Sequence, residues 1–179
     1  MVWFWYFILY SFLGFLLEVV FAKVTGGSAD RKCLIVLPLC PVYGLGACAI
    51  LLLPRFVTTH PLLLFAFGTL TATAVEYLMA LFYEGVLGVP FWNYRGLPGN
   101  IQGRVCIPFS LSWGVLALPL VYWVHPFLAP LLNAILLPVT ILASLTLLSD
   151  VLLSSALLHH TRDRTCLKWY ASFLISSDR

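Results

Sequence analysis

The sequence predicts an all-α membrane protein, a polytopic helix bundle with about five transmembrane helices. Of its 179 residues, 61% are hydrophobic and only 9% are charged, and the mean hydropathy is +0.99. Soluble domains carry roughly a quarter charged residues, so this composition excludes a water-soluble fold. A second observation is a series of apolar runs of the ~20 residues that a spanning helix needs. The length allows one bundle, predicted over 1–158, followed by a cytoplasmic or interfacial tail over 159–179.

The first three predicted helices are apolar runs that end at polar or proline-containing segments. The first covers about 2–22, and the polar stretch 23–32 follows it. The second covers about 34–53 and closes at Pro54 and Arg55. The third, about 61–87, is the longest uninterrupted run. Each is long enough to cross a bilayer.

A polar segment separates the third helix from the remaining two. Residues 88–108 are rich in glycine, proline, tryptophan and amides and show no helical period, which predicts a re-entrant or interfacial loop. The fourth helix is predicted over about 109–124 and the fifth over about 126–158. The fifth is too long for one straight crossing, so we expect Pro130 and Pro138 to break or tilt it.

The distribution of basic residues predicts an orientation. Nine of the ten Lys and Arg residues lie in the first loop, the third loop and the tail, and only Arg55 lies on the other side. Cytoplasmic loops carry the excess of Lys and Arg. Five crossings therefore predict an N-terminus outside and a C-terminus in the cytoplasm.

Carboxylates within the apolar segments indicate a polar interior. Glu18, Glu76, Glu84 and Asp150 all lie in or at the end of predicted helices, and ionisable groups at membrane depth face a bundle interior, a partner or water. Polar or small residues share a helical face with each of them, as Ser11 and Gly14 do with Glu18. The predicted orientation places these carboxylates near the cytoplasmic face. We therefore expect a shared cavity that opens toward the cytoplasm.

The loop supplies further candidate ligands. Asn93, Asn100 and Gln102 offer neutral donors and acceptors, and the planar guanidinium of Arg104 can grip a carboxylate or phosphate with two hydrogen bonds. The alternative is an ordinary cytoplasmic loop with interfacial Trp and Tyr anchors. The predicted ligand-binding residues are Glu18, Tyr43, Glu76, Glu84, Asn93, Tyr94, Asn100, Gln102, Arg104 and Asp150.

Each candidate also has a structural interpretation. The glutamates could pair with Arg95, Arg104 or Lys32 without touching a solute, and Asp150 with Ser154 could cap an internal water. The five cysteines are interpreted as small buried hydrophobic residues rather than a disulfide framework. No metal motif is present, and the sequence predicts no metal, no cofactor and no nucleic-acid partner; it leaves any catalytic residue unidentified.

Ordered motifs along the chain carry a family resemblance. They are S-x-x-G-x-x-x-E ending at Glu18, C-P-V-Y-G from Cys40, E-Y at Glu76, W-N-Y from Trp92, G-R-V-C from Gly103 and S-L-S-W-G from Ser110. Over about 7–150 the chain resembles the small bacterial membrane proteins classed as type IV ABC-transporter permeases. The chain departs from the family at Asn93, where Asp is usual, and at 31–33, where Asn-Arg-Gly is usual.

The resemblance implies a transport component of the bacterial cytoplasmic membrane. If transport uses ATP, a separate ATPase subunit must supply it, because the chain contains no G-x-x-x-x-G-K-[ST] phosphate loop. A proton gradient is the alternative energy source. Membrane lipid and a second copy of the chain are further expected partners. The expected function is a permease-like component with a cytoplasm-facing polar cavity for a small polar or anionic solute.

Two other functions are open at this point. One is a membrane-embedded enzyme acting on a lipid or isoprenoid at the cytoplasmic face, with Glu76 as general base and Arg104 holding a phosphate or a developing oxyanion. The other is a structural or regulatory membrane subunit whose polar core binds no solute.

Overall fold

The computed structural model describes residues 1–26, 34–132 and 134–167. Within these ranges the regular structure is helical, apart from one isolated bridge between Ile101 and Val105. The helices are α1 (Val2–Val24), α2 (Pro41–Leu51), α3 (Arg55–Thr58), α4 (Pro61–Leu87), α5 (Ile107–Leu132) and α6 (Leu137–Thr161), and a 3₁₀ turn covers Arg164–Leu167. In the described part of the chain, α1, α4, α5 and α6 are long and apolar enough to span a membrane, and α2 is a shorter apolar helix. The predicted all-α membrane bundle is confirmed.

The predicted boundary between the fourth and fifth helices is wrong. α5 continues through His125 and Pro126 to Leu132, and α6 begins at Leu137. A π-helical turn, Leu120–Val124, ends two residues before Pro126. Proline removes one helical hydrogen bond, and the wider turn absorbs that loss, so the helix is not broken there. Pro138 instead occupies the first turn of α6, where a missing N–H costs little.

The second predicted helix is also corrected, because only its last part is helical. Residues 34–40 are irregular, and α2 begins at Pro41. Pro38 and Pro41 are the physical reason, since a residue that precedes proline is disfavoured in the helical region. Cys40 accordingly has extended φ and ψ of −107° and 95°.

The irregular segment 34–40 is held by hydrogen bonds from two neighbouring helices. Asp150 of α6 accepts the N–H groups of Val36, at 3.1 Å, and Leu37, at 2.7 Å, one on each carboxylate oxygen. The carbonyl oxygen of Ser11 in α1 accepts the N–H of Cys40 at 2.9 Å. Irregular backbone among spanning helices is stable only where protein or water supplies such partners. Asp150 therefore anchors the approach to α2.

The helices form an ordered bundle around α2. α2 lies between α1 and α4, and α4 packs against α5. α6 joins α1 through a hydrogen bond of 2.9 Å from Trp5 to Thr140, and it joins the end of α4 through His159, whose ring nitrogen lies 2.9 Å from the carbonyl oxygen of Val86. We call the end of the bundle that holds residues 88–106 the loop end, and the opposite end the far end.

Glycines bring α1 and α2 into close contact. A Cβ atom on Gly14 would collide with the ring of Tyr43, and one on Gly44 would collide with Ser11 and lie 2.6 Å from the carbonyl oxygen of Phe7. A similar contact joins α4 to α5, where a Cβ on Gly68 would lie 2.7 Å from that of Ala117. Small residues allow this approach between membrane helices. They set the distance across which polar side chains of different helices meet.

The cysteines differ from the expectation at one position. Cys106 is a buried free thiol, and Cys48 and Cys166 are partly buried free thiols. Cys40 is disulfide-bonded. The interpretation of the cysteines as small buried hydrophobic residues outside any disulfide is therefore wrong for Cys40.

Replacing Gly44 by alanine tests the contact between α1 and α2. Because the added Cβ would meet both a side chain and backbone, and overpacking costs about 1–3 kcal/mol, we expect a lower midpoint of thermal unfolding for the purified protein in detergent. Gly46→Ala on the same helix is the matched control, since no atom lies within 4 Å of its added Cβ. Equal midpoints for the two variants would contradict the close approach.

Replacing Asp150 by asparagine tests the anchor of residues 34–40. The amide keeps the shape of the side chain but turns one of the two acceptors into a donor, and a hydrogen bond to a charged group contributes about 1.5–3 kcal/mol. We expect faster hydrogen–deuterium exchange at the amides of Val36 and Leu37. Ser149→Ala is the control, because the exposed hydroxyl of Ser149 bonds to the carbonyl oxygen of Leu145 in its own helix. Unchanged exchange in Asp150→Asn would refute the anchor.

Candidate functional site

A cavity of about 200 Å³ lies toward the loop end of the bundle, where α1, α2, α4, α5 and the loop 88–106 meet. Two carboxylates line it, those of Glu18 and Glu76, and we call it the glutamate cavity. Most of the other lining side chains are aromatic: Phe21, Tyr43, Trp92, Tyr94, Phe109 and Trp113. The cavity therefore combines hydrogen-bond acceptors with rings, which is the composition of many small-molecule sites.

Glu76 is the buried carboxylate of this cavity, because only 4% of the residue's surface is exposed. It lies on the buried face of α4, which includes Gly68, Ala72 and Ala80. The hydroxyl of Tyr94 donates to Oε1 at 2.9 Å, and the indole N–H of Trp113 donates to Oε2 at 3.0 Å. These neutral donors come from the loop and from α5, so Glu76 ties both to α4.

Glu18 is the second carboxylate, contributed by α1. The hydroxyl of Tyr43 donates to its Oε1 at 2.8 Å, and the small residue Gly14 leaves room on α1 for the Tyr43 ring. That ring also packs on Trp113, with centroids 4.7 Å apart. Among the described residues no donor reaches Oε2 of Glu18, so this oxygen is available to a ligand.

Tyr94 closes the cavity from the loop. Its ring stacks on Phe109, with centroids 4.8 Å apart, and its backbone N–H donates to the carbonyl oxygen of Gly103 at 2.7 Å. Burial, together with the negative charge of Glu76 and their hydrogen bond, raises the pKa of the Tyr94 hydroxyl above its ordinary value. Tyr94 is therefore a neutral donor to Glu76 over the physiological pH range.

A second polar cluster lies outside the glutamate cavity. Arg104 donates through Nε and a terminal nitrogen to one oxygen of Glu84, at 2.9 and 2.7 Å, and Gln102 bonds both Arg104 and the hydroxyl of Tyr77. The hydrogen bond to Glu84 is the largest of the effects that raise the pKa of Arg104. Its guanidinium is thus occupied by a protein carboxylate and joins the loop to the end of α4.

Hydrogen bonds between residues of the loop hold much of its conformation. The side-chain oxygen of Asn100 accepts the N–H of Gly103 at 3.2 Å, and that of Asn93 accepts the N–H of Arg95 at 2.9 Å. The indole N–H of Trp92 donates to the carbonyl oxygen of Arg104 at 2.7 Å. Gln102 adopts a φ of 54°, an uncommon conformation for a residue with a side chain, and this turn directs it toward Tyr77 and Arg104.

The ten predicted ligand residues fall into separate places. Glu18, Tyr43, Glu76 and Tyr94 line the glutamate cavity. A different polar pocket is lined by Glu84, Asn93, Gln102 and Arg104. Asn100 lies in an exposed turn of the loop, and both carboxylate oxygens of Asp150 bind the backbone of residues 36–37. The structure therefore brings Glu18 and Glu76 together in one cavity and Glu84 and Arg104 together in another.

Sequence reasoning did not select the aromatic residues Trp92, Phe109 and Trp113 as site residues. Trp113 carried a usable signal, because it follows Phe109 by one helical turn near the start of an apolar helix, beside a polar loop. Such a stripe is also typical of an apolar core. Within the described residues no three His, Cys, Asp or Glu side chains lie close enough to hold a metal ion.

Comparison with known proteins identifies a family. Residues 5–156 match the family described as "Putative ABC-transporter type IV". No curated protein and no solved structure matches the chain. The family match covers most of the 179 residues, confirms the resemblance drawn from the motifs and supports a membrane transport component as the general function. The chain belongs to this type IV ABC-transporter family.

Proposed function

We propose that this chain is the permease-like membrane component of a transport system and that the glutamate cavity is its solute site. The observation that carries the proposal is the pair of carboxylates, Glu18 and Glu76, oriented by neutral donors in a cavity between packed helices. Pre-oriented acceptors in a largely apolar cavity are what specific recognition of a polar solute requires. Intramembrane carboxylates are also the usual marks of a substrate path.

Of the two expected solute classes, the lining favours a polar solute with hydrogen-bond donors over an anion. Two glutamates line the cavity, and like charges repel strongly in a medium of low dielectric constant. Arg104, the residue expected to grip an anion, lies outside this cavity and binds Glu84. A donor-bearing solute could instead bond the available oxygen of Glu18.

The proposed orientation places the loop end in the cytoplasm. Lys23 lies in the last turn of α1, and Arg95 and Arg104 lie in the loop. Arg162 and Arg164 follow α6 beside the loop, whereas Arg55 lies at the far end. The excess of basic residues on one side supports this assignment. The N-terminus is then outside, and the glutamate cavity faces the cytoplasm. A separate ATPase subunit, which the family suggests, would act from that side.

Thiol labelling tests the orientation and the access to the cavity. In a variant that lacks the free thiols, we expect Asn100→Cys to react with a membrane-impermeant thiol reagent only from the cytoplasmic face, and Thr59→Cys only from outside. Ser112→Cys, which lines the glutamate cavity, should react from the cytoplasmic face. Ser149→Cys, on an exposed apolar part of α6, is the control and should be inert from both faces, because ionic reagents do not enter the hydrocarbon region.

Each labelling outcome bears on one part of the proposal. Labelling of Asn100→Cys from outside would reverse the orientation. A Ser112→Cys thiol as inert as that of Ser149→Cys would show that the cavity is closed to water, and the proposed solute site would fail. Small polar solutes that slow the labelling of Ser112→Cys, but not of Asn100→Cys, would support binding in the cavity.

A further inference from the structure

A second cavity, of about 380 Å³, lies between α1 and α5 beside the glutamate cavity. Its lining is mostly apolar and includes Leu13, Leu16 and Val20 of α1, Leu120 of α5 and Gly46 of α2. We call it the lateral groove. Leu16 is 42% exposed and Val20 57% exposed, so the groove opens sideways, toward the lipid that surrounds a membrane-spanning α1.

Contacts at both ends frame the lateral groove. At the far end, the hydroxyl of Tyr10 lies 2.7 Å from Nδ1 of His125, which joins α1 to α5. At the loop end, the rings of Phe21 and Phe109 meet edge to face, with centroids 6.3 Å apart. The two helices are thus fixed at two points and leave an opening between them.

The lateral groove is continuous with the glutamate cavity. Leu17, Tyr43, Trp113 and Leu116 line both spaces. Tyr43 marks the transition, because its ring borders the apolar groove while its hydroxyl bonds Glu18. A molecule that occupied both spaces would have an apolar part against leucine and valine and a polar part against a carboxylate.

We propose that the solute of the glutamate cavity is an amphiphile that enters sideways from the bilayer. Its aliphatic tail lies in the lateral groove, and a head group that bears hydrogen-bond donors, such as a primary ammonium, binds Glu18 beside the rings of Tyr43 and Trp113. The inference rests on the proposed function and names the substrate class of that site. Aromatic faces and a carboxylate together favour a cationic or donor-rich head.

The structure provides a variant that fills the groove without touching the carboxylates. Apart from the backbone of its own helix and its chain neighbours, no atom lies within 4 Å of a Cβ on Gly46. Because Gly46 lines the groove, Gly46→Leu places a side chain where the tail would lie. Gly85→Leu is the matched control, because Gly85 is exposed, has the same open space around its Cβ and lies outside both cavities.

Photocrosslinking tests the proposal on the full chain in phosphatidylcholine nanodiscs. The probe is dodecylammonium with a diazirine at the end of its tail, and the crosslinked residues are mapped by mass spectrometry. We expect saturable crosslinks at Leu16, Val20 and Leu120, and unlabelled dodecylammonium should suppress them at concentrations where dodecyl sulfate does not. Gly46→Leu should reduce them at least about tenfold, and Gly85→Leu should not.

Glu18→Gln tests the head group separately from the tail. Because a hydrogen bond to a charged group contributes about 1.5–3 kcal/mol, we expect the preference for dodecylammonium over dodecyl sulfate to fall by about tenfold or more in this variant. A preference that is unchanged would overturn the assignment of the head group to Glu18.

Other outcomes overturn the proposal as a whole. Crosslinks that do not saturate, or that are equal in the groove and at lipid-facing Leu145 and Leu152 of α6, would show that the probe is ordinary bilayer lipid. Crosslinks to a second copy of the chain would show that the groove is an oligomer interface. If Ser112→Cys is nevertheless labelled from the cytoplasm and protected by polar solutes, the amphiphile fails while the proposed solute site stands.

Discussion

The arrangement of this bundle depends on how the backbone of residues 34–40 is satisfied. Unpaired N–H and C=O groups among membrane-spanning helices cost several kcal/mol each, and two prolines keep this segment out of a helix. Asp150 accepts two of its N–H groups, and the carbonyl oxygen of Ser11 accepts a third. Those bonds fix where α2 begins. Because α2 begins at Pro41, Tyr43 faces α1 at the level of Glu18 and Gly44 meets Ser11.

Small residues allow the other helices to pack closely on one another. Gly14 and Gly44 bring α2 against α1, and Gly68 and Gly114 bring α4 against α5. At these short distances the hydroxyls of Tyr43 and Tyr94 and the indole of Trp113 reach carboxylates on neighbouring helices. These donors hold the two carboxylates in fixed orientations across the helix interfaces.

Much of the fold could be predicted from composition and hydrophobic pattern, and the exceptions have physical causes. α1 and α4 agree with their apolar runs almost to the residue. The hydropathy of residues 34–40 predicts a helix, because a segment buried in a bundle must be apolar whatever its backbone conformation. Pro38 and Pro41 are the sequence feature that predicts an irregular backbone there. At Pro126 the error is the opposite one, because a helix break was predicted where the helix continues. The preceding π-helical turn keeps the helix continuous, and such a turn has no clear sequence pattern.

The sequence predicted which helix faces carry the polar residues of the candidate site, but it did not predict which side chains form hydrogen bonds with one another. Helical spacing places Glu18 and Glu76 on inward faces, and both line one cavity. Which donor reaches which carboxylate depends on separations of 18 to 37 residues along the chain, which local pattern does not encode. The structural alternative weighed for Glu84 and Arg104 is the pairing present in the structure. Asp150 has a role that no pattern indicated, as an acceptor for backbone N–H groups, and it also accepts a hydrogen bond from the hydroxyl of Ser154.

The shortness of α2 also bears on how the chain enters a membrane during synthesis. Eleven apolar residues are about half of what an independent crossing needs, so α2 has little capacity to insert on its own. α1 precedes α2 in the chain and is long and apolar enough to span a membrane without another helix. Its face at Gly14 is the surface on which α2 packs. The first two segments therefore act as one insertion unit, completed only when α6, which follows later in the chain, delivers Asp150.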